Sequence, residues 1–158
     1  VYVAHSGCNE LRGSVGQLLE AERAAGLSTL AGYSNFQGRV DSIKRDLLSF
    51  LVDAKRAGKQ IVGYGAPGKG NTLLNYCGIG QDFLDYTVDR NPYKQGNYTP
   101  GSRIPILPPE HIAATRPDYI LILPWNLREE IVAANAHVAE WGGKFVVPIP
   151  RLETIDPA

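Results

Sequence analysis

From Gln60 onward the chain alternates short apolar runs with stretches of helical character, and that alternation restricts the fold more than any other feature. The apolar runs fall at 61–64, 86–88, 104–107, 119–123 and 144–149. They are too short for helices and apolar at nearly every position, as expected of strands covered on both faces. Helical segments are expected between them at 71–77, 109–115 and 127–139, the last opened by Asn126 with Glu129 in a cap pattern and closed by Gly142-Gly143. A strand followed by a helix and a further parallel strand crosses over right-handedly. The expected fold is therefore α/β, a Rossmann-like parallel sheet of about five strands with flanking helices, in the order 3-2-1-4-5.

A helical N-terminal segment precedes the sheet. Ser14 with Gln17, and Ser34 with Gln37, both match the capping-box spacing that starts a helix. After the second start, Phe36, Val40, Ile43, Leu47, Phe50, Leu51 and Ala54 recur in steps of three and four, one stripe of a helix that packs on something. Gly26 and Gly58 are the expected stops, since glycine tolerates the left-handed C-cap. The division expected is a leading segment over 1–58 (a residual strand, VYVAHSG, then two helices) and a sheet domain over 59–158. The absence of methionine reads as a processed or excised product.

The stretch 60–78, QIVGYGAPGKGNTLLNYCG, carries the chemistry. Gly63, Gly65 and Gly68 follow a strand and open a helix, the setting in which this spacing brings backbone amides and a helix N-terminus up to a phosphate. Asp89 ends the next strand, 21 residues after Gly68, where dinucleotide-binding folds place an acid on the ribose hydroxyls. The string from Gly63 to Lys69 also spells GxxxxGK, but Gly70 stands where a P-loop requires a magnesium-binding Ser or Thr, which excludes an ATPase of that type. Lys69 would instead bring a point charge to a pyrophosphate. The alternative is a tight strand-to-helix turn that holds no ligand, with Lys69 in water.

Two further segments should emerge at the same sheet edge. Residues 90–103, RNPYKQGNYTPGSR, form a long loop offering Asn91, Lys94, Asn97, Tyr98 and Ser102 as hydrogen-bonding groups, with Tyr93 or Tyr98 able to stack on a base. After the strand at 119–123 comes Pro124-Trp125-Asn126. Trp125 either walls a pocket or covers the core, and Asn126 either faces a ligand or caps a helix. His5, His111 and His137 lie in separate elements, and Cys8 and Cys77 have neither metal-knuckle nor CxxC spacing, so no residue is assigned a catalytic or metal-binding role. The 16 basic and 16 acidic residues balance, which gives no general attraction for nucleic acid or an anionic membrane. No apolar run reaches the length of roughly 20 residues that a membrane helix requires, and reduced thiols point to a cytoplasmic protein.

Taken together, GYGAPGKGNTLLNYCG, DYTVDRNPYKQGNYTPGSRIPILPPE and DYILILPWNLREEI resemble the C-terminal domain of three-part SAM-dependent sugar C-methyltransferases. The resemblance covers nearly the whole chain, about residues 1–150. It implies a zinc-binding region and a SAM-binding domain upstream, with VYVAHSG as the last strand of the latter. It further implies a nucleotide-sugar of dTDP type, held so that the C-terminal domain contacts its diphosphate. That role falls on Gly65, Ala66, Gly68, Lys69, Gly70 and Asn71, and next on Asp89, Asn91 and Lys94. S-adenosylmethionine would be the cofactor of the full-length enzyme and not bound by this chain, which alone is expected to be inactive and to hold no cofactor. Two other readings stay open: an NAD(P)-binding oxidoreductase domain, which Gly63, Gly65, Gly68 and Asp89 suit, and a noncatalytic nucleotide-binding module.

Overall fold

The structure, a computed structural model, describes residues 3–8 and 12–157. They divide into two compact units, 1–40 and 41–158.

In the first unit, helix α1 spans Gly13–Ala24 and has no buried residue. Ser14 sits inside this helix; the capping position is Arg12, with no side-chain cap. The stop is as expected, with Gly26 at φ 75° and its N–H donating to the Arg23 carbonyl. A 3₁₀ turn over Leu30–Tyr33 follows. The Ser34 hydroxyl donates back to the Ala31 carbonyl, so it closes that turn and does not cap the next helix, α2, which starts at Phe36 and runs to Arg56. Residues 3–8, which include most of the expected strand VYVAHSG, form no strand; Val1 and Tyr2 lie outside the described residues.

In the second unit, strands β1 (Ile61–Tyr64), β2 (Thr87–Val88), β3 (Ile106–Leu107), β4 (Tyr119–Ile122), β5 (Lys144–Val147) and β6 (Glu153–Ile155) form one sheet. Its order is β3-β2-β1-β4-β5-β6, so the expected 3-2-1-4-5 core is present. All pairs are parallel except β5 with β6. The sixth strand was not legible, since Glu153–Ile155 is three residues long with a single apolar member. Helices α3 (Gly68–Cys77), α4 (His111–Thr115) and α5 (Arg128–Ala134) supply the crossovers.

Successive residues of each strand serve opposite faces. Ile61, Leu121 and Val146 join Leu47, Leu51 and Ala54 of α2 and Leu73, Leu74 and Cys77 of α3 in one core. Val62, Ile120, Ile122, Phe145 and Val147 join Ile112 of α4 and Ile131 of α5 in the other. Gly58 caps α2 at φ 72°, as expected. The helix expected over 127–139 is broken: α5 ends at Ala134, buried Asn135 donates its side-chain N–H to the Ile131 carbonyl at 2.7 Å, and a 3₁₀ helix continues over Ala136–Trp141.

The loop over 90–103 is a folded cover for the sheet edge. Gly96 N–H donates to the Ile106 carbonyl and Ile106 N–H to the Asn97 carbonyl, which satisfies edge groups of β3 that would otherwise invite another strand. Asn75 of α3 donates to the Pro100 carbonyl and ties this loop to the helix.

Candidate functional site

The parallel order places a switch point between β1 and β4, because β1 connects leftward to β2 while the chain returns from β3 to β4. Ligands of open α/β sheets lie beyond the carboxyl ends of the strands at such a point. The β1–α3 turn and the Pro124-Trp125-Asn126 turn both emerge here.

The glycines of the turn have distinct reasons. A Cβ on Gly63 would stand 2.6 Å from the Thr87 Oγ1. Gly65 has φ 84° and a Cβ there would meet Pro124 Cδ at 2.7 Å. Its N–H donates to the Val88 carbonyl at 2.6 Å, and its own carbonyl accepts from the buried Thr87 hydroxyl at 2.8 Å. Gly70 carries the close packing of helix on sheet, its Cβ position lying 2.8 Å from Leu123 Cβ. Gly68 alone among these four would meet nothing within 4 Å. Three are therefore required by protein atoms, and the space beside the fourth is open.

The N-terminus of α3 is left bare. Its capping position is Pro67, with no side-chain cap and no acidic residue in the first turn. The first intrahelical bond of this end is Asn71 N–H to the Pro67 carbonyl. The amides of Gly68, Lys69 and Gly70 therefore have no acceptor among the described residues. Such amides, aligned with the helix dipole, form an anion site. The Lys69 ammonium lies 4.6 Å from the centre of the Trp125 ring and donates to Asn126 Oδ1, so it spans the two turns at the switch point. Trp125 packs against the two cores and presents its ring to Lys69. Asn126 is not a helix cap, that position belonging to Leu127.

Asp89, Asn91 and Lys94 meet behind the turn. Asp89 Oδ2 accepts from Ala66 N–H at 2.8 Å and from Lys94 Nζ at 3.0 Å, while its Oδ1 accepts from Asn91 N–H at 2.9 Å. Lys94 also donates to the Ala66 carbonyl at 3.1 Å. Burial pushes the Asp89 pKa up, but the Asn91 and Ala66 amides and the Lys94 ammonium outweigh it and hold the carboxyl below its ordinary value. Asn91 Oδ1 accepts from Tyr93 N–H, which makes it a turn former. Of the other loop groups, Asn97 bonds Tyr93 and Ser102 bonds Thr99, while Tyr93 and Tyr98 are exposed. Asn71 Oδ1 is shut off from solvent with no hydrogen-bond partner among the described residues. Sequence reasoning missed Thr87, whose only signal was one polar residue inside an apolar strand. No group of three His, Cys, Asp or Glu side chains that could hold a metal occurs among the described residues, and no helix there is long and apolar enough to cross a membrane.

Sheet order and glycine turn together define a Rossmann-type α/β domain with an uncapped helix N-terminus at its switch point. The model of the C-methyltransferase C-terminal domain family matches residues 1–150. The chain belongs to that family. A curated relative, the C-methyltransferase NovU of Streptomyces niveus, is 38% identical over 147 residues. The match covers 93% of this chain but 35% of that relative, so the chain spans about a third of its length. Among solved structures, UDP-D-quinovosamine 4-dehydrogenase from Vibrio fischeri is similar at a TM-score of 0.43 and 21% identity, over 59% of this chain and 79% of that one.

Proposed function

We propose that this domain binds the diphosphate of a nucleotide-linked keto-deoxysugar within a SAM-dependent C-methyltransferase. The bare amides of Gly68, Lys69 and Gly70, with the Lys69 ammonium beside them, carry this reading, because linked phosphates supply the acceptors those donors lack. Asp89 argues against a dinucleotide. A carboxylate offers about four lone-pair sites, and three are taken by Ala66, Asn91 and Lys94. That leaves one where a ribose diol asks for two. Asp89, Asn91 and Lys94 therefore support the turn from behind, and Gly65 and Ala66 shape it.

In this reading SAM is held by another part of the polypeptide and supplies the methyl group. A base there would remove the proton next to the sugar keto group, and the carbon so activated would take the methyl as its bond to the SAM sulfur breaks and S-adenosylhomocysteine leaves. This chain contributes binding and orientation, which lower a barrier by fixing the reacting geometry. Parallel titration with dTDP, NAD and SAM tests the assignment. dTDP is expected to bind best and to weaken on Lys69→Ala. Tight NAD binding that ignores Lys69→Ala would overturn the reading in favour of an oxidoreductase domain.

A further inference from the structure

Every buried apolar side chain among the described residues lies at Leu47 or later. Residues 3–8 and 12–40 contribute none, yet most of the exposed large apolar side chains are theirs. The first unit, Val1–Val40, therefore shows no core of its own among its described residues. A segment of about 40 residues rarely holds a fold on so little burial. Helix α1, 12 residues long, falls in the range of roughly 12–15 residues where a lone helix is marginal in water. The stability of this unit has to come from a surface that covers it.

Its exposed apolar groups are arranged rather than scattered. Val15, Leu18 and Leu19 stand at i, i+3 and i+4, which places them on one face of α1. The Glu20–Arg23 ion pair, 3.6 Å apart, stands off that face. Glu22, seven residues past Val15, falls within the stripe, and its carboxylate has no hydrogen-bond or ion-pair partner among the described residues. Past α1 the chain forms a built turn. Thr29 N–H donates to the Gly26 carbonyl at 3.1 Å, the Thr29 hydroxyl accepts from Gly32 N–H, and the Tyr33 hydroxyl donates to the Leu27 carbonyl at 2.8 Å. A Cβ on Gly32 would stand 2.1 Å from the Gly26 carbonyl oxygen, so the two sides of the turn touch and only glycine fits. This fixed backbone presents Leu27, Leu30 and Tyr33 to solvent, Leu30 at 92% exposure. A contiguous exposed apolar face on an ordered backbone marks an interaction surface, whereas a spacer would be polar and loose.

We propose that the α1 stripe and the turn over 26–33 dock on an apolar surface of the same polypeptide on the N-terminal side of residue 1, and that this surface sets a basic side chain opposite Glu22. The family is one of C-terminal domains, matched here from residue 1, and most of the length of the NovU relative lies outside the match. Because α1 begins at Gly13, a surface on that side is held to it by a short tether. Such a tether raises the effective concentration to about millimolar, enough for a contact that would be weak between separate molecules. Burying a carboxylate without a partner is costly, so the covering surface has to bring a cation to Glu22. The proposal is independent of the glycine turn and of any ligand held there.

Hydrogen–deuterium exchange tests it in two preparations, the 158-residue chain and the full-length polypeptide. Amides of α1 should exchange nearly as fast as an open chain in the first and orders of magnitude more slowly in the second. Equal exchange in both overturns the proposal. In the full-length polypeptide, Leu30→Asp puts a charge into the contact and should return α1 to fast exchange while β4 stays protected. Glu22→Lys should act the same way by setting like charges against each other, and it decides the matter if Leu30→Asp prevents folding. Protection of α1 that neither substitution alters overturns the proposal. Sedimentation of the 158-residue chain should give a monomer, and a dimer that Leu30→Asp dissociates would assign the face to a second copy instead.

Discussion

Adding one methyl group at Gly68 and at Gly70, two positions apart, should produce opposite results. At Gly70 the new carbon would lie 2.8 Å from Leu123 Cβ and 3.2 Å from Pro67 Cδ and Cγ, against a comfortable carbon–carbon separation of about 3.5–4.0 Å. Leu123 is fully buried, so the conflict must be relieved by moving α3 off the sheet. Overpacking of this kind costs about 1–3 kcal/mol, while alanine returns up to about 1 kcal/mol of helix propensity. The net expectation for Gly70→Ala is a loss of up to about 2 kcal/mol, or up to some 8 °C in Tm for a chain of this size. At Gly68 nothing lies within 4 Å, and the backbone there is already helical. Gly68→Ala should therefore leave stability unchanged or raise it by about 0.4–1 kcal/mol through the unfolded chain. Yet it places a methyl where a diphosphate would approach the amides, so dTDP affinity should fall while stability holds. Urea denaturation and dTDP titration on both variants provide the readout. Equal stability of the two variants would refute the packing argument, and a Gly68→Ala variant that binds dTDP like the parent would refute the placement of the ligand.

Thr87→Val should cost about 1–3 kcal/mol, since it strands the buried Gly65 carbonyl that Thr87 now satisfies, and Thr87→Ser should recover most of it in the same denaturation assay. Asp89 makes stability pH-dependent: its folded pKa is depressed, so its contribution is complete above the unfolded value of about 3.9 and is lost as pH falls through the folded one. Denaturation of the parent and of Asp89→Asn at falling pH should show the difference between them shrinking in that window, and a difference that persists at the acid end contradicts the assignment. Amides of α1 should exchange with solvent orders of magnitude faster than those of β4, because a helix of this length with no buried residue is marginal by itself. Hydrogen–deuterium exchange followed by mass spectrometry measures this, and comparable protection in both elements would count against it.

What the chain of residues announces by itself is the alternation from Gln60 onward. The apolar runs at 61–64 and 119–123 became the two central strands because burial on both faces demands apolar side chains at every position, a requirement written locally in the sequence. The stops at Gly26 and Gly58 were equally legible, since a left-handed residue after a helix is a local need. The caps assigned to Ser14, Ser34 and Asn126 were not there, because serine and asparagine can also close a turn, sit within a first turn or face another element. Strand β6 left no pattern because three residues on a sheet edge need apolar character on one face at most.

At the site, the glycine spacing announced a close turn before an exposed helix end, and only the assembled sheet decided what each glycine was for. Gly70, not Gly68, lies tight against Leu123, a residue more than fifty positions away. Asp89 stands where a ribose-binding acid would be expected from spacing alone, but Ala66 and Lys94 converge on it when β2 is laid beside β1. Local patterns fix which backbone conformations a segment prefers. Which polar groups remain unpaired, and so are left for a ligand, depends on contacts between segments that meet only in the tertiary structure.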